Sequence, residues 1–280
     1  MIGAIIGDVV GSIYEFDNHK SKNFNFFKKD STFTDDTVMT VAVADFLLDE
    51  MGNPGAARFI SYLHKWYTKY PEMTYGAKFG QWIKQFDKLD YTKYKPYNSF
   101  GNGAAMKVSP IADSIHSLQF ALNNAKAITE ITHNHPEGIK GAQATASAIH
   151  LARSKSKAYI LRYIEKEFGY DLSPTVDELR KTYQYNETCQ GTVPEAIICF
   201  LESTDFEDAI RNAISIGGDS DTLACITGGI AEAFYQDIPE WILKETINRL
   251  PNDIKAVLKD FYVEVYFHYP KIAGSLSKLL

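Results

Sequence analysis

The chain has 280 residues with a formal net charge of −6, of which 45% are hydrophobic and 23% charged. This composition supports a substantial core and excludes a disordered polar chain, and the negative charge disfavours non-specific binding along a nucleic-acid backbone. The three cysteines match no zinc spacing and their odd number is a poor disulfide framework, so we expect reduced thiols and a cytoplasmic location.

The first segment, MIGAIIGDVVGSIYEF, predicts an apolar first helix. It contains Asp8 and has no basic residue before Lys20, whereas a secretory signal begins with a positively charged region. No run in the sequence approaches the roughly 18 apolar residues of a membrane span, so we expect no membrane association. Asp8 lies between Gly7 and Gly11 and is expected to be a buried hydrogen-bonding residue that supports a site, not a metal ligand.

Helical periodicity dominates the rest of the chain. In NPGAARFISYLHKWYTKY, an apolar stripe follows a proline and consists of Phe59, Leu63, Trp66 and Tyr70. Further helices are expected in HPEGIKGAQATASAIHLAR (135–153), PEAIICFLE (194–202), DFEDAIRNAISI (205–216), PEWILKETINRL (239–250) and PNDIKAVLKDFYVEVYF (251–267). The sequence lacks repeated period-2 runs joined by hairpin turns, so it predicts an all-α fold.

Three polar stretches, 17–32, 89–104 and 170–192, are expected to be loops because Asn, Pro, Tyr, Ser and charges collect there. The first two are longer than a compact bundle needs, and long ordered loops often carry function. We find no interdomain linker and no internal repeat, so one domain over residues 1–280 is expected.

Two apolar helices begin with a pair of acids beside a threonine. One begins with Thr34, Asp35 and Asp36, and the other, within ISIGGDSDTLACITGGIAEA, contains Asp219, Asp221 and Thr222. Ordinary helix capping explains one such start. A matched pair favours a shared cation, because carboxylates brought together cannot all remain ionised without one. Both interpretations remain open from the residues alone.

The residue types restrict which cation would bind. Carboxylate and hydroxyl oxygens without Cys or an adjacent His suit Mg²⁺, Mn²⁺ or Ca²⁺ and disfavour zinc or copper. Six oxygen-bearing residues are too many for one Mg²⁺ that keeps its waters and are suited to two metals. A metal pair about 4 Å apart is typical of hydrolytic sites.

Five motifs resemble those of the ADP-ribosylglycohydrolase family, in the same order. They are GDVVGSIYEF, FTDDT, FGNGAAMKVSPI, THNHPEG and ISIGGDSDTLACITGGIAEAFY, which together extend to residue 235. The resemblance implies an all-α, orthogonal multi-helix bundle around a dinuclear Mg²⁺ cleft, with Mn²⁺ as an alternative metal. It also implies hydrolysis of the bond between ADP-ribose and an acceptor, through an oxocarbenium-like transition state.

The resemblance also implies roles for individual residues. The metal ligands would be Thr34, Asp35, Asp36, Asp219, Asp221 and Thr222. Acid–base chemistry would fall to an Asp of this cluster, with Asp35, Asp36 and Asp219 as candidates. Glu15 matches a family glutamate near the metal and ribose, with a surface residue ending the first helix as the alternative.

Substrate contacts are implied for Gly101, Asn102 and Gly103, through backbone amides free to approach a diphosphate, and for His133. A plain turn is the alternative for the glycine motif. Neither His133 nor His135 is expected to bind metal. Where the family often has arginine after GNGAAM, this chain has Lys107, which keeps the charge.

Two other function classes remain open. One is a module that binds ADP-ribose without turnover, which the presence of all six expected ligands disfavours. The other uses the basic and aromatic loop HKSKNFNFFKK (19–29) to stack nucleic-acid bases. The acceptor also stays open among arginine, serine, another side chain, a nucleic-acid end and a free metabolite.

Overall fold

The computed structural model describes residues 1–49, 55–88 and 90–280. Its α-helices are α1 (Ile2–Gly11), α2 (Asp35–Asp49), α3 (Ala56–Lys69), α4 (Ala77–Lys84), α5 (Ser109–Ser114), α6 (Leu118–Thr129), α7 (Pro136–Ala152), α8 (Lys157–Phe168), α9 (Val176–Thr182), α10 (Val193–Leu201), α11 (Phe206–Ser215), α12 (Ser220–Tyr235), α13 (Glu240–Ile247), α14 (Asn252–Glu264) and α15 (Pro270–Leu279). Within these described residues there is no β-strand, only an isolated bridge between Gly101 and Thr188. The predicted all-α fold is confirmed. None of the described helices combines the length and apolar character that crossing a membrane requires.

The helices expected from periodicity are present as α3, α7, α10, α11, α13 and α14. Pro54, the proline expected before α3, lies outside the described residues. The expected loop 170–192 was wrong in part because it contains α9, which begins with a capping box between Thr175 and Glu178. Glu15 lies beyond the end of α1 at Gly11, so the alternative that it ends the first helix was also wrong. The single-domain expectation stays a prediction.

A tightly packed helix pair, α1 and α12, lies in the core and determines where the acids of α12 lie. Every residue of α1 is buried. A Cβ added at Gly7 would lie 1.9 Å from the Ala224 carbonyl oxygen, and one added at Gly11 would lie 2.4 Å from the Asp221 Cα. The two backbones are therefore in direct contact, and the end of α1 supports the start of α12.

Candidate active site

The two acidic helix starts meet in the folded chain. Thr222 Oγ1 in the first turn of α12 donates a hydrogen bond to Asp36 Oδ2 in the first turn of α2, at 3.3 Å. Both helix starts line one cavity of about 390 Å³, to which all four aspartates and Thr222 contribute. Asp36, Asp219 and Asp221 are buried, whereas Asp35 is partly exposed. The structure thus brings together residues that are far apart in the sequence.

Helix capping does not account for Asp219. It occupies the N-cap position of α12, yet its side chain makes no capping hydrogen bond. Its Oδ2 instead accepts a hydrogen bond from Asn102 Nδ2 at 2.7 Å. The preceding residues Gly217 and Gly218 have φ values of +71° and +82°, which residues other than glycine rarely adopt. This turn directs the Asp219 carboxylate into the cavity, so the capping interpretation was wrong for this residue.

Asp8 holds the start of α2. Its carboxylate accepts from the backbone N–H groups of Thr34 (2.9 Å) and Thr37 (3.1 Å), from Thr34 Oγ1 (2.7 Å) and from the Thr37 hydroxyl. Asp8 is fully buried. The prediction that it is a buried hydrogen-bonding residue is confirmed. Because the Thr34 hydroxyl donates its proton to Asp8, a lone pair on Thr34 Oγ1 remains available to bind a cation.

The carboxylates of the cavity have too few hydrogen-bond donors to balance their negative charge. Burial raises the pKa of Asp35, Asp36 and Asp221 well above its ordinary value, and their neighbouring carboxylates raise it further. Asp36 Oδ1 is buried and has no hydrogen-bond partner. Glu15 lies at the same place, since Glu15, Asp219 and Asp221 each offer an oxygen within 4.8 Å of the other two. Burial, then the charge of Asp219, raises the Glu15 pKa to about 7.

This arrangement fits a divalent cation. Buried carboxylates that repel one another, with one unpartnered oxygen among them, are stabilised by a bound positive charge. The donors are carboxylate and hydroxyl oxygens, the ligands that hard cations such as Mg²⁺ and Mn²⁺ prefer. Glu15 lies in this acid cluster beside Asp219 and Asp221, the region near the metal where the resemblance implies it.

Residues 101–103 line the cavity, but not as predicted. The Gly101 N–H donates to Ser99 Oγ at 3.1 Å, and the Asn102 N–H donates to the Glu187 carbonyl oxygen at 2.8 Å. The expectation of free backbone amides was therefore wrong for these two residues, because the loop uses them to bind its neighbours. Asn102 instead contributes its side chain, which contacts Asp219.

His133 and His135 have different positions. His133 is buried in the cavity wall, where burial and the charge of Lys107 hold its pKa well below the ordinary value, so its imidazole is neutral. Thr132 Oγ1 lies 2.7 Å from His133 Nδ1, and a Cβ added at Gly103 would lie 3.4 Å from His133 Nε2. His135 is the N-cap of α7, where its Nδ1 accepts from the Glu137 N–H.

Lys107 is also buried, and its ammonium donates to the Gly103 carbonyl oxygen. Burial lowers its pKa to about 8.

Three of the cavity residues that the sequence interpretation did not identify lie against its acids. Thr74 Oγ1 lies 3.5 Å from Asp35 Oδ1, and Tyr185 and Glu187 contact each other beside Glu15. They lie in polar segments with no recognisable motif, so only their proximity in the fold reveals them.

Thermal unfolding in Mg²⁺ and in EDTA tests whether the acids bind metal. The cavity acids have a pKa of about 4 in the unfolded chain and a higher pKa in the folded protein. At a pH between these two values, the metal-free folded protein binds more protons than the unfolded chain, so its stability falls as pH rises. Glu15 extends this interval to about pH 7. Metal binding needs ionised ligands and strengthens over the same interval. We expect the Tm gain from Mg²⁺ to be small near about pH 5 and large near about pH 8. A gain that is greater at the lower pH would contradict this assignment.

The comparisons with known proteins agree on one family. The model of the ADP-ribosylglycohydrolase family matches residues 1–269. ADP-ribosylhydrolase ARH3 of Mus musculus is 29% identical over 86% of this chain and 84% of its own length. ADP-ribosylarginine hydrolase Tri1 of Pseudomonas putida is 26% identical over 87% of this chain and 72% of its own length. A solved structure titled ADP-ribosylglycohydrolase-related protein complex shares the fold, with a TM-score of 0.68, 21% identity, and coverage of 94% of this chain and 97% of that one.

Proposed function

The chain belongs to the ADP-ribosylglycohydrolase family, and on this premise we propose that it is a Mg²⁺-dependent hydrolase of the glycosidic bond between ADP-ribose and an acceptor. The observation that carries the proposal is the meeting of four aspartates at one cavity, with a buried Asp36 oxygen that has no partner. A protein that only bound ADP-ribose would have no need to bury repelling carboxylates. The non-catalytic binding module is therefore the less favoured alternative.

Six residues would hold two Mg²⁺ ions, or Mn²⁺ in their place: Thr34, Asp35, Asp36, Asp219, Asp221 and Thr222. Five of them line the shared cavity, whereas Thr34 lies at the start of α2 beside Asp36, whose N–H donates to Thr34 Oγ1 at 3.3 Å. All six offer carboxylate or hydroxyl oxygens. When bound, the metals would supply positive charge that activates water and steadies the ribose hydroxyls. Asp8 and Asn102 would orient Thr34 and Asp219 through the hydrogen bonds described above.

Acid–base chemistry would come from the carboxylates nearest the reacting bond. Hydrolysis through an oxocarbenium-like transition state needs a proton for the leaving acceptor and a base for the incoming water. Asp35, Asp36, Asp219 and Glu15 are the candidates. Glu15 is favoured for proton transfer because it is the acid of this cluster that lies outside the six expected metal ligands, and it is only partly buried, which gives it access to water. The remaining ionised aspartates would stabilise positive charge that develops at the anomeric carbon.

Substrate binding would use residues 101–103, His133 and, near the ribose, Glu15, all of which line the cavity. Since His133 is neutral, it would contact the ribose or diphosphate by hydrogen bonding and not as a cation. Gly101 and Gly103 leave space along the cavity wall for the substrate to approach the backbone. With Thr132 beside Nδ1, the Nε2 atom next to Gly103 is the one available for this contact.

The experiment that tests the function is release of free ADP-ribose from arginine-linked and serine-linked ADP-ribosylated peptides, with Mg²⁺ and with EDTA. We expect metal-dependent release from at least one peptide, which would also identify its acceptor. ADP-ribosylated nucleic-acid ends and a small ADP-ribosylated metabolite complete the substrate panel. ADP-ribose binding without release from any of these substrates would favour the binding module and contradict the hydrolase.

The basic loop 19–29 gives little support to a nucleic-acid function. Phe26 is buried, and the Arg211 side chain donates to the carbonyl oxygens of Lys22 and Phe24. Lys22 pairs with Asp208, and Lys20 Nζ donates to the Tyr183 carbonyl oxygen at 2.9 Å. These contacts hold the loop against the rest of the protein, so Lys20, Lys22 and Phe26 are not free to bind nucleic acid.

We propose a reducing, cytoplasmic location, supported by three unpaired buried cysteines.

A further inference from the structure

Glu15 is held at the cavity by a tyrosine from a distant part of the chain. Its Oε1 atom lies 3.1 Å from the Tyr185 hydroxyl, which donates the hydrogen bond. In the described part of the chain, this hydroxyl is the one hydrogen-bond donor to the Glu15 carboxylate. The Glu15 backbone carbonyl is bound separately, by Asn18 Nδ2 at 2.7 Å. The side-chain position therefore depends on Tyr185, whereas the backbone position does not.

Apart from the Tyr185 hydroxyl, little in the described part of the chain fixes the position of the Glu15 carboxylate. Its neighbours Asp219, Asp221 and Glu187 are all acidic, and Glu15 is only partly buried, so it has a path to solvent. The phenol hydroxyl gives the carboxylate one charge-assisted hydrogen bond, which favours this side-chain position over a solvated one. Without the phenol hydroxyl, we expect the carboxylate to turn toward water.

The segment around Tyr185 is fixed by contacts that do not involve its hydroxyl. The Tyr183 hydroxyl donates to the Gly191 carbonyl oxygen at 2.6 Å, and Asn186 Oδ1 accepts from the Thr188 N–H at 2.9 Å. The Tyr185 ring stacks on Phe16 with centroids 6.5 Å apart. A Tyr185→Phe variant keeps all of these contacts and loses only the hydroxyl. It is therefore expected to fold normally.

We propose that Tyr185 is a positioning residue whose hydroxyl holds the Glu15 carboxylate beside Asp219 and Asp221. The same hydroxyl lies 3.0 Å from Glu187 Oε1. A phenol has one proton, so Glu187 competes with Glu15 for it. On this proposal Tyr185 acts on the reaction through Glu15, and neither through Glu187 nor through its own contact with the substrate. This proposal rests on the proposed function, in which Glu15 takes part in proton transfer and ribose binding.

A double-mutant cycle tests this dependence directly. The proteins are the wild type, Tyr185→Phe, Glu15→Ala and the double variant, with Tyr159→Phe as the control because Tyr159 is an exposed tyrosine on α8. Steady-state hydrolysis gives kcat and KM, isothermal titration calorimetry gives the Kd of ADP-ribose, and thermal unfolding checks the fold. In the wild-type background, Tyr185→Phe should lower kcat/KM about tenfold, divided between a lower kcat and a higher KM, as expected for one charge-assisted hydrogen bond. The same change should weaken ADP-ribose binding about threefold.

The decisive comparison is in the Glu15→Ala background. In that background, Tyr185→Phe should change neither kcat/KM nor the Kd of ADP-ribose, because the Glu15 carboxylate that Tyr185 positions is absent. If Tyr185→Phe has its full effect on kcat/KM in that background, Tyr185 does not act through Glu15 and the proposal is overturned. A Tyr185→Phe enzyme identical to the wild type would overturn it as well. If the wild type binds ADP-ribose but hydrolyses no substrate, the hydrolase function fails on its own. The binding cycle would then still decide whether Tyr185 acts through Glu15.

Discussion

An Asp35→Ala, Asp221→Ala double variant is expected to lose its bound divalent metal and at least about 10³-fold of its hydrolytic activity. One acid comes from each of the two helix starts that meet at the cavity. Removing both takes two carboxylates from the cavity that holds the expected metal ligands. Metal content after equilibrium dialysis against Mn²⁺, measured by mass spectrometry, and kcat on the substrate identified above check the prediction.

Thermal unfolding in EDTA separates loss of metal from loss of fold. Because Asp221 is buried among like charges, its removal should leave the metal-free protein no less stable than the metal-free wild type. An Asp171→Ala, Asp237→Ala variant is the matched control, since both of these acids are exposed and lie outside the cavity. Wild-type metal content in the double variant would contradict the assignment of these acids as ligands.

A Gly11→Ala variant is expected to be destabilised by about 3 kcal/mol or more. The added Cβ would lie 2.4 Å from Asp221 Cα and 2.6 Å from Asp221 N, and a backbone cannot move aside as a flexible side chain can. The start of α12 must shift to accommodate it, and the Asp221 carboxylate shifts with it. Urea unfolding in EDTA measures the stability loss, and Mn²⁺ titration should show weaker binding.

A matched glycine provides the control for this prediction. Gly274 lies within α15, and a Cβ added there would meet no atom within 4 Å. Gly274→Ala should therefore stabilise the protein by about 0.5–1 kcal/mol, through the lower conformational entropy of the unfolded chain. Equal effects of the two substitutions on stability would show that the contact between α1 and α12 is looser than described.

Local sequence signals predicted most of the helices, and their failures have local causes. The stripe in α3 and the proline-led starts of α10 and α14 were visible because apolar spacing and backbone restrictions act within a few residues. The missed helix α9 also had a local signal, the Thr175–Glu178 capping box, which the polar character of its surroundings obscured. The amides of Gly101 and Asn102 were misjudged for a different reason. The partner of Gly101 is Ser99, two residues earlier in the same loop, whereas the partner of Asn102 is Glu187, which only the meeting of two loops brings close.

The sequence by itself determined the all-α fold, the family and the acidic starts of α2 and α12, because these depend on periodicity and residue type. Only the tertiary structure decided that Asp219 turns away from capping its helix, that Asp8 holds Thr34, and that Glu15 joins the acid cluster under the Tyr185 hydroxyl. Each of these depends on a contact between segments separated by at least 26 positions along the chain. Hydrogen bonding and charge repulsion act over a few ångströms in space, so folding must bring such groups together before their chemistry is defined.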